Sequence, residues 1–430
     1  MLPISQPPPA KSTAPDPRPD LRSLSFAELQ ELVARLGERP FRAKQLFRWL
    51  HHKGAASFAE MTDLARPFRE RLAQETQLTT LIADTVQVST DGTRKYRFKT
   101  WDNRYIESVY MPDEAGEQAF DPDADDEDNL EEAAAQAAAA ASAKKGAPGA
   151  NGAIGSRDAA ALARGNVKPA RVRRTLCVST QVGCAMGCGF CLTATMGLVR
   201  NLTAGEIADQ VYRVNADLRG LNQGEMDAQR PLTNLVYMGM GEPLHNYAQV
   251  KQSLELLLHQ DGANFSHRHV TVSTSGLVPN ILRLGEETQV KLAVSLNATT
   301  DEQRASLMPV DKKWNIAALI DACRKFPMKN GRRITFEYVL LRGVNDTDDD
   351  AERLCKLLAG MPVKVNLIPY NENPGLGFGD PGVERVQAFR RILERRGFAA
   401  MVRKNRGRDI SAACGQLAVA GQQRSRAQHG

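Results

Sequence analysis

Short apolar segments alternate with amphipathic ones through the C-terminal part of this 430-residue chain, and no other feature limits its fold as strongly. The apolar segments have the length and composition of buried strands, at 176–179, 234–238, 269–273, 291–295, 334–340, 363–368 and 399–403. Helical periodicity separates most of them, at about 204–218, 247–259, 316–326, 348–359 and 383–396. Because such repeats fold as right-handed β/α units, the sequence predicts an α/β fold whose parallel sheet wraps as a full or partial barrel.

Composition and periodicity divide the rest of the chain. A capping box at Ser25–Glu28 begins a run of helical periodicity, and strict alternation takes over from Leu81. The acidic and then Ala-rich and Gly-rich stretch after residue 112 cannot bury a core. We therefore expect a disordered tail at 1–20, a helical N-terminal domain at 21–80, a short antiparallel β segment at 81–112, a disordered insertion at 113–168, the barrel at 169–403 and a C-terminal segment at 404–430.

The formal net charge of +6 understates how basic the remaining chain is. Residues 113–132 hold eleven acidic side chains and no Lys or Arg. Without them 56 basic residues face 39 acidic ones, a balance of +17. A body this basic favours a polyanionic partner, with RNA or DNA first, although Lys and Arg that merely solvate surface helices would give the same count.

Three cysteines, Cys184, Cys188 and Cys191, lie at spacings of four and three in a glycine-containing loop after the first barrel strand. Thiolates at such spacing suit an iron–sulfur cluster or zinc. A closed site wants four protein ligands, yet the next histidine is His245, and Cys177 lies upstream within a strand. Three thiolates on a four-iron cluster would leave one iron open for a small molecule. A zinc loop completed from a distance is the alternative.

Polar residues follow the barrel strands, at the end where ligands bind in such folds. Gly241 and Glu242 come after the second strand, and a carboxylate there can accept a hydrogen bond from an ammonium group. Equivalent positions after later strands hold Ser273, Ser295, Asn297 and Asn371. Each alone is a common turn or cap residue, but together they predict a pocket beside the cysteine loop.

Cys414 differs from the cysteines that lie within helical patterns. It occupies a segment of small residues beyond the last strand, after the basic run 403–408, which could lower a thiol pKa or bind phosphate. The chain has seven cysteines, an odd number with three clustered, which argues against a secreted disulfide framework. No run of eighteen apolar residues and no signal peptide is visible, so we expect a cytoplasmic protein.

Several separate segments together resemble the dual-specificity ribosomal and transfer RNA adenine-C2 methyltransferases, which are radical S-adenosylmethionine (SAM) enzymes. The segments are 41–49, 174–184, 238–243, 271–276 and 409–417. The resemblance covers roughly 21–112 and 170–417. The insertion at 113–168 departs from the family's pattern. It separates Glu107 from Cys177, so it must loop out for those two residues to meet.

The resemblance implies the chemistry of each residue. Cys184, Cys188 and Cys191 would hold one 4Fe-4S cluster, and the strand-end residues would contact SAM, of which two are used per turnover. Cys414 would accept a methyl group and carry it as a methylene radical to carbon 2 of adenine. Glu107 would then remove the ring proton, and Cys177 would release the product by forming a disulfide with Cys414.

The resemblance also implies partners and leaves two alternatives open. The substrates would be 23S rRNA and tRNA, with an electron donor such as flavodoxin, and the protein would be a monomer that does not bind membranes. One alternative is methylation of adenine carbon 8 by the related resistance enzymes. The other is a metal-stabilised RNA-binding protein without catalysis, although a binder needs neither Cys414 nor Glu107.

Overall fold

One sheet of ten strands organises the part of the chain that the structure describes. The structure is a computed structural model, and it describes residues 16–112, 173–221, 231–328, 332–373, 375–404 and 406–417. Its strands are β1 (Ile82–Val88), β2 (Arg94–Lys99), β3 (Tyr105–Pro112), β4 (Arg174–Cys177), β5 (Gln181–Gly183), β6 (Leu198–Asn201), β7 (Asn234–Tyr237), β8 (Val270–Thr274), β9 (Lys291–Ser295), β10 (Ile334–Leu340), β11 (Val363–Pro369) and β12 (Ala399–Val402). Its α-helices are α1 (Phe26–Arg35), α2 (Phe41–His51), α3 (Arg66–Glu75), α4 (Leu192–Thr195), α5 (Ala204–Leu221), α6 (Tyr247–Leu258), α7 (Val278–Glu287), α8 (Asp301–Leu307), α9 (Ile316–Lys325), α10 (Asp348–Leu358) and α11 (Val383–Arg395).

The parallel part of the sheet follows chain order from β4 to β12, with β5 and β6 apart in a hairpin of their own. Helices connect successive parallel strands, as β/α units require. The predicted partial (β/α) barrel is therefore confirmed, and each predicted strand lies within two residues of its observed bounds. The β5–β6 hairpin and the helices α7 and α8 were not predicted.

The two faces of the parallel strands differ in chemistry. Val272, Phe336 and Leu367 point to one face and are fully buried. Tyr338 shares that face, and its ring lies 5.3 Å from the ring of Phe389 in α11, so this is the face that the helices cover. Because side chains alternate along a strand, the neighbours of these residues point to the concave face, which is polar. The concave face is therefore where chemistry can occur.

The segment β1–β3 is antiparallel, as predicted, but it is not a separate sheet. β3 pairs antiparallel with β4, so that Val109 lies opposite Cys177 and Tyr110 opposite Leu176. The first strand of an open barrel has an unpaired edge, and β3 satisfies the hydrogen bonds of that edge. This pairing brings the strand of Glu107 next to the strand of Cys177.

Helices α1–α3 form the predicted helical domain around a core of their own. The capping box is confirmed, since Ser25 Oγ accepts from Glu28 N and Glu28 accepts from Ser25 N. Pro67 lies in the first turn of α3, where an N–H group would have no partner within the helix, so proline costs no hydrogen bond. The domain contacts the barrel through α2, where the Phe47 ring lies 4.6 Å from that of His259.

The predicted tail at 1–20 is wrong at its C-terminal end. Pro19 O accepts from Gln77 N at 2.9 Å, and Asp20 Oδ1 accepts from Thr79 N at 2.9 Å. These bonds attach residues 19 and 20 to the helical domain because they satisfy backbone donors after α3. The predicted insertion at 113–168 lies outside the described residues. In the part of the chain described, no helix is long and apolar enough to cross a membrane.

Candidate active site

A β-hairpin presents the cysteine loop. β5 ends at Gly183 and pairs antiparallel with β6, so the loop 184–191 and the short helix α4 lie between the two strands. Cys184 N donates to Gly197 O at 3.0 Å, which closes the base of the loop. Gly183 has φ +76°, and a Cβ there would lie 1.8 Å from Gly197 O. Only glycine fits this position without moving the loop.

The three thiols of the loop share one small region. Burial raises the pKa of Cys188 well above its ordinary value, and the nearby Cys191 and Cys184 thiols raise it further. No three His, Cys, Asp or Glu side chains among the described residues are arranged to hold one metal ion. Three thiols of one loop that act on one another suit a cluster, in which each thiolate binds a different iron. The donor set fits a 4Fe-4S cluster.

Glu242 lies beside the cysteine loop, at the carboxyl end of β7. Its Oε2 accepts from Ser275 N at 2.7 Å and its Oε1 from Leu244 N at 3.0 Å. Burial raises the pKa of Glu242, although these two backbone donors oppose the rise. Its carboxylate also raises the pKa of Cys188. A carboxylate so placed can accept a hydrogen bond from the ammonium group of a small ligand.

Gly241 allows Glu242 to approach β5, the strand that leads into the cysteine loop. Gly241 has φ +98°, and a Cβ there would lie 2.5 Å from the Cβ of Gln181. Gln181 Oε1 in turn accepts from Glu242 N at 2.9 Å. The close approach of these two segments explains why the turn after β7 needs glycine.

Ser273 and Ser295 occupy the concave face, as their predicted role requires. Ser273 lies opposite Ala293, and Ser295 lies opposite Glu337, all on the same face of their strands. Both serines are half-buried rather than covered by helices. The structure thus leaves these serine side chains facing the concave side of the sheet, near the strand ends.

The two asparagines predicted to contact the cofactor already have protein partners. Asn297 Oδ1 accepts from Val339 N at 2.8 Å, and its Nδ2 lies 3.2 Å from Met308 Sδ. Asn371 Oδ1 accepts from Arg408 Nε at 2.8 Å. Both residues lie at the expected strand ends, but their amides tie elements together, so cofactor contact stays a prediction for them.

Cys177 and Cys414 lie close enough for one thiol to act electrostatically on the other, although the whole barrel separates them in sequence. Burial, and to a lesser extent the nearby Cys414 thiol, raise the pKa of Cys177 to about 12. Arg403 lies beside both: the Cys414 thiol raises the pKa of its guanidinium most, with smaller contributions from Glu337 and Cys177. All seven cysteines are free thiols. The structure thus places two thiols and one shared cation together.

The C-terminal segment reaches this position because the β1–β2 turn holds it. Asp91 Oδ2 accepts from Gly407 N at 2.9 Å. Asp409 accepts from Ser89 Oγ and from Thr90 N. Further along, Leu192 N donates to Gly415 O at 2.9 Å, which joins the segment to the helix that follows the cysteine loop. Cys414 is therefore anchored from two sides.

Glu107 lies on β3 at the edge of the same site and is buried. Lys95 Nζ lies 3.6 Å from Glu107 Oε1 and also donates to Ser411 O at 3.3 Å. Ser179 Oγ donates to Glu107 O, which fixes the strand against the turn after β4. The predicted base is thus joined through one lysine to the segment that carries Cys414.

Sequence reasoning missed Lys95, Glu337 and Arg304, the last a fully buried residue of α8 whose bonds reach the strand ends. Glu337 lies on the concave face of β10, and the alternation of apolar and polar residues in that strand was a usable signal for it. Lys95 and Arg304 carried no such signal, since a charged residue in a strand of an edge hairpin or in a short helix is usually solvated. Arg403 was noted only as part of a basic run.

Comparisons with known proteins agree on one kind of molecule. Residues 19–78 match the family model described as the ribosomal RNA large subunit methyltransferase N-terminal domain, and residues 178–358 match that of the radical SAM superfamily. A crystal structure of a radical SAM methyltransferase from Sphaerobacter thermophilus is 42% identical, with a TM-score of 0.74, and covers 93% of this chain and 99% of that one.

Curated relatives resemble the chain over nearly its whole length. The dual-specificity RNA methyltransferase RlmN of Anaeromyxobacter dehalogenans (strain 2CP-C) is 55% identical over 94% of this chain and 93% of that protein. The dual-specificity RNA methyltransferase RlmN 2 of Myxococcus xanthus (strain DK1622) is 54% identical over 98% of this chain and 96% of that protein.

Proposed function

Since the chain belongs to the RlmN family of dual-specificity RNA methyltransferases, within the radical SAM superfamily, we propose that it methylates carbon 2 of an adenine in 23S rRNA and in tRNA through a methyl group carried on Cys414. The observation that carries this proposal is the meeting of Cys414, Cys177 and Arg403 beside the cysteine loop. Carbon 2 of adenine is electron-poor, so direct polar attack on a methyl donor is unfavourable. A protein thiol that carries the carbon solves this difficulty.

The residues of the cysteine loop and the strand ends would hold the cofactors. Cys184, Cys188 and Cys191 would bind one 4Fe-4S cluster, with Glu242 and the turn at Gly241 beside them for SAM. When bound, these groups supply the methyl group, one-electron chemistry and an acceptor for a hydrogen atom, with two SAM used per turnover. Ser273, Ser295, Asn297 and Asn371 complete the proposed pocket.

The chain's own residues would perform the steps at the RNA base. The adduct of the methylene radical with carbon 2 would lose one electron to the one-electron cofactor and its ring proton to Glu107, which restores the aromatic ring. Cys177 then attacks the sulfur of Cys414. An S–S bond forms, the S–C bond breaks, and its electron pair stays with the new carbon, which is protonated to a methyl group. Because the two thiols are neighbours, the attack is intramolecular, and a thiol reductant restores both.

RNA is the substrate class, and the basic body of the protein suits it. The helical domain is proposed to make an accessory contact with RNA. Its helix α2 exposes Arg48, and Nζ of the adjoining Lys53 lies 3.4 Å from the centre of the Trp49 ring. We further propose that the enzyme is a cytoplasmic monomer served by a flavodoxin-like electron donor. These finer statements follow from the resemblance alone.

Replacement of Cys177 tests whether Cys414 carries the carbon while Cys177 only releases the product. Cys177→Ala can still load Cys414 and add to adenine, but it lacks the thiol that breaks the thioether. The variant should therefore be isolated from cells with RNA covalently attached, in a form that survives denaturation and thiol reductant. Cys414→Ala should carry no RNA. Mass spectrometry after nuclease digestion should find the nucleotide on the Cys414 peptide.

Cys355→Ala is the matched control, because Cys355 is a buried free thiol on α10, outside the site. It should methylate normally and trap nothing. If Cys177→Ala forms near-normal amounts of methylated adenine and no adduct, the proposed role of Cys177 is wrong. If the product is 8-methyladenosine, the carbon assignment is wrong and the related C8 chemistry applies.

A further inference from the structure

Arg304, in the short helix α8, is fully buried, although a guanidinium rarely is unless it is paired. Its Nη1 donates to Asp311 Oδ1 at 2.9 Å. Its other donors reach main-chain carbonyls: Nε donates to Leu296 O at 3.1 Å and Nη2 to Ser275 O at 2.5 Å. A buried charge with this many partners is held in one geometry, so the carbonyl groups that it bonds are held in place as well.

The two carbonyls lie at the carboxyl ends of neighbouring strands. Ser275 follows β8, and Leu296 follows β9 directly after Ser295. Ser275 is held from its other side too, because its N–H donates to Glu242 Oε2 at 2.7 Å. Ser275 thus links the two side chains: its N–H bonds to the Glu242 carboxylate and its carbonyl to the Arg304 guanidinium. Any shift of Arg304 reaches Glu242 through a single residue.

The same helix contacts the cysteine loop. Gly189 N, between two of the cysteines, donates to Leu307 O at the end of α8 at 2.9 Å. Leu307 and Met308 pack in a small core with Phe190 of the loop. Arg304 also acts electrostatically on Cys188, lowering its pKa as the least of several causes. α8 therefore joins the proposed cluster ligands to the strand ends that would hold SAM.

We propose that Arg304 is a positioning residue that fixes the Ser275 turn, and with it Glu242, relative to the cysteine loop, so that the amino-acid end of SAM is received in one geometry. Arg304 is too deeply buried to touch SAM itself. This inference rests on the proposed cofactor site.

Arg22 provides a matched control. It is also fully buried, and it donates to three carbonyls, Leu50 O, Ala55 O and Thr79 O, with Asp209 as its carboxylate. It lies where the helical domain meets α5, not at the strand ends. Arg22→Gln and Arg304→Gln therefore remove the same kind of buried network. Only the second should alter cofactor binding.

Two measurements compare the variants. In cluster-free protein, hydrogen exchange at residues 275–276 should quicken in Arg304→Gln and stay as in wild type in Arg22→Gln. In reconstituted protein, SAM is titrated against the electron paramagnetic resonance signal of the reduced cluster. Arg304→Gln should bind SAM 10–100-fold more weakly, the usual loss when a group that orients a ligand is removed. Arg304→Lys, which keeps the charge, should recover part of this loss.

The inference is overturned if Arg304→Gln binds SAM as tightly as wild type, or loses no more affinity than Arg22→Gln. If Arg304→Gln does not fold, Arg304→Lys decides by the same criteria, because an ammonium group keeps the charge but cannot make all the guanidinium's bonds to Ser275 O, Leu296 O and Asp311. Wild-type protein that holds no cluster or binds no SAM would overturn the proposed function as well. Wild-type protein that binds SAM, beside an Arg304→Gln variant that binds equally, would overturn this inference alone.

Discussion

Gly183→Ala should weaken cluster binding without touching any ligand. Gly183 precedes Cys184, and its φ of +76° lies in the left-handed region that favours glycine. The added Cβ would lie 1.8 Å from Gly197 O, a backbone atom that cannot rotate away. The hairpin must therefore open, and Cys184 N must leave Gly197 O, to which it now donates at 3.0 Å.

Three terms set the size of the effect. A non-glycine residue in the left-handed region costs about 1–2 kcal/mol. Forcing atoms into a packed site costs about 1–3 kcal/mol, and the lost hydrogen bond adds about 0.5–1.5 kcal/mol. The free energy of unfolding of this part should fall by roughly 2.5–6.5 kcal/mol. Gly197→Ala is the control, since Gly197 has φ +64° in the same hairpin and nothing within 4 Å of its Cβ, so only the first term applies.

Iron content after anaerobic reconstitution, and the urea midpoint of the cluster-free protein, measure the difference. Gly183→Ala should hold far less iron than Gly197→Ala and should unfold at lower urea. Equal iron and equal midpoints in the two variants would refute the claim that the β5–β6 hairpin shapes the cysteine loop.

Three further predictions concern single side chains. Cys188→Ala should lose most of its iron in the same reconstitution, whereas Cys355→Ala should keep it; equal iron in both would contradict the ligand assignment. Asp91→Asn should remove the acid sensitivity of the C-terminal segment's attachment. In wild type, burial disfavours ionisation of Asp91, but hydrogen bonds from Gly407 N and Thr93 N outweigh this and lower the pKa of Asp91 to about 2. The stability that the Asp91 carboxylate gives to the attachment of the C-terminal segment is thus full above about pH 4 and is lost as the pH falls toward 2. Protease cleavage of that segment should therefore rise over this range in wild type and be high throughout in Asp91→Asn. Glu107→Gln should accumulate RNA adduct on Cys414, as detected by mass spectrometry; an adduct-free, fully active variant would exclude Glu107 as the base.

The barrel could be predicted from sequence because its strands are buried by one repeated pattern. Alternation places Ser273 and Ser295 on one face and Val272 on the other, whatever the distant contacts are. The pairing of β3 with β4 could not be predicted, since residues 113–173 separate the strands and nothing local specifies an edge partner. Apolar and polar residues alternate along both strands, but this pattern does not specify which strand pairs with which.

The site was predictable only where chemistry limits residue type. Three cysteines at fixed spacing have few uses, so their role was accessible from sequence. Arg304 was not, because the same residue in a short helix is normally solvated, and only the fold reveals the carbonyls around it. Asn297 is an intermediate case: its strand-end position predicts cofactor contact, which stays a prediction, and only the fold reveals that its Oδ1 accepts a hydrogen bond from Val339 N.

The central claim is that the enzyme methylates carbon 2 of adenine through Cys414, and nucleoside mass spectrometry of cellular RNA tests it most directly. In a strain lacking the protein, 23S rRNA and tRNA should contain no 2-methyladenosine. Wild-type protein should restore it in both RNAs, whereas Cys414→Ala should restore it in neither. Undiminished 2-methyladenosine in the deletion strain, or its full restoration by Cys414→Ala, would contradict the account.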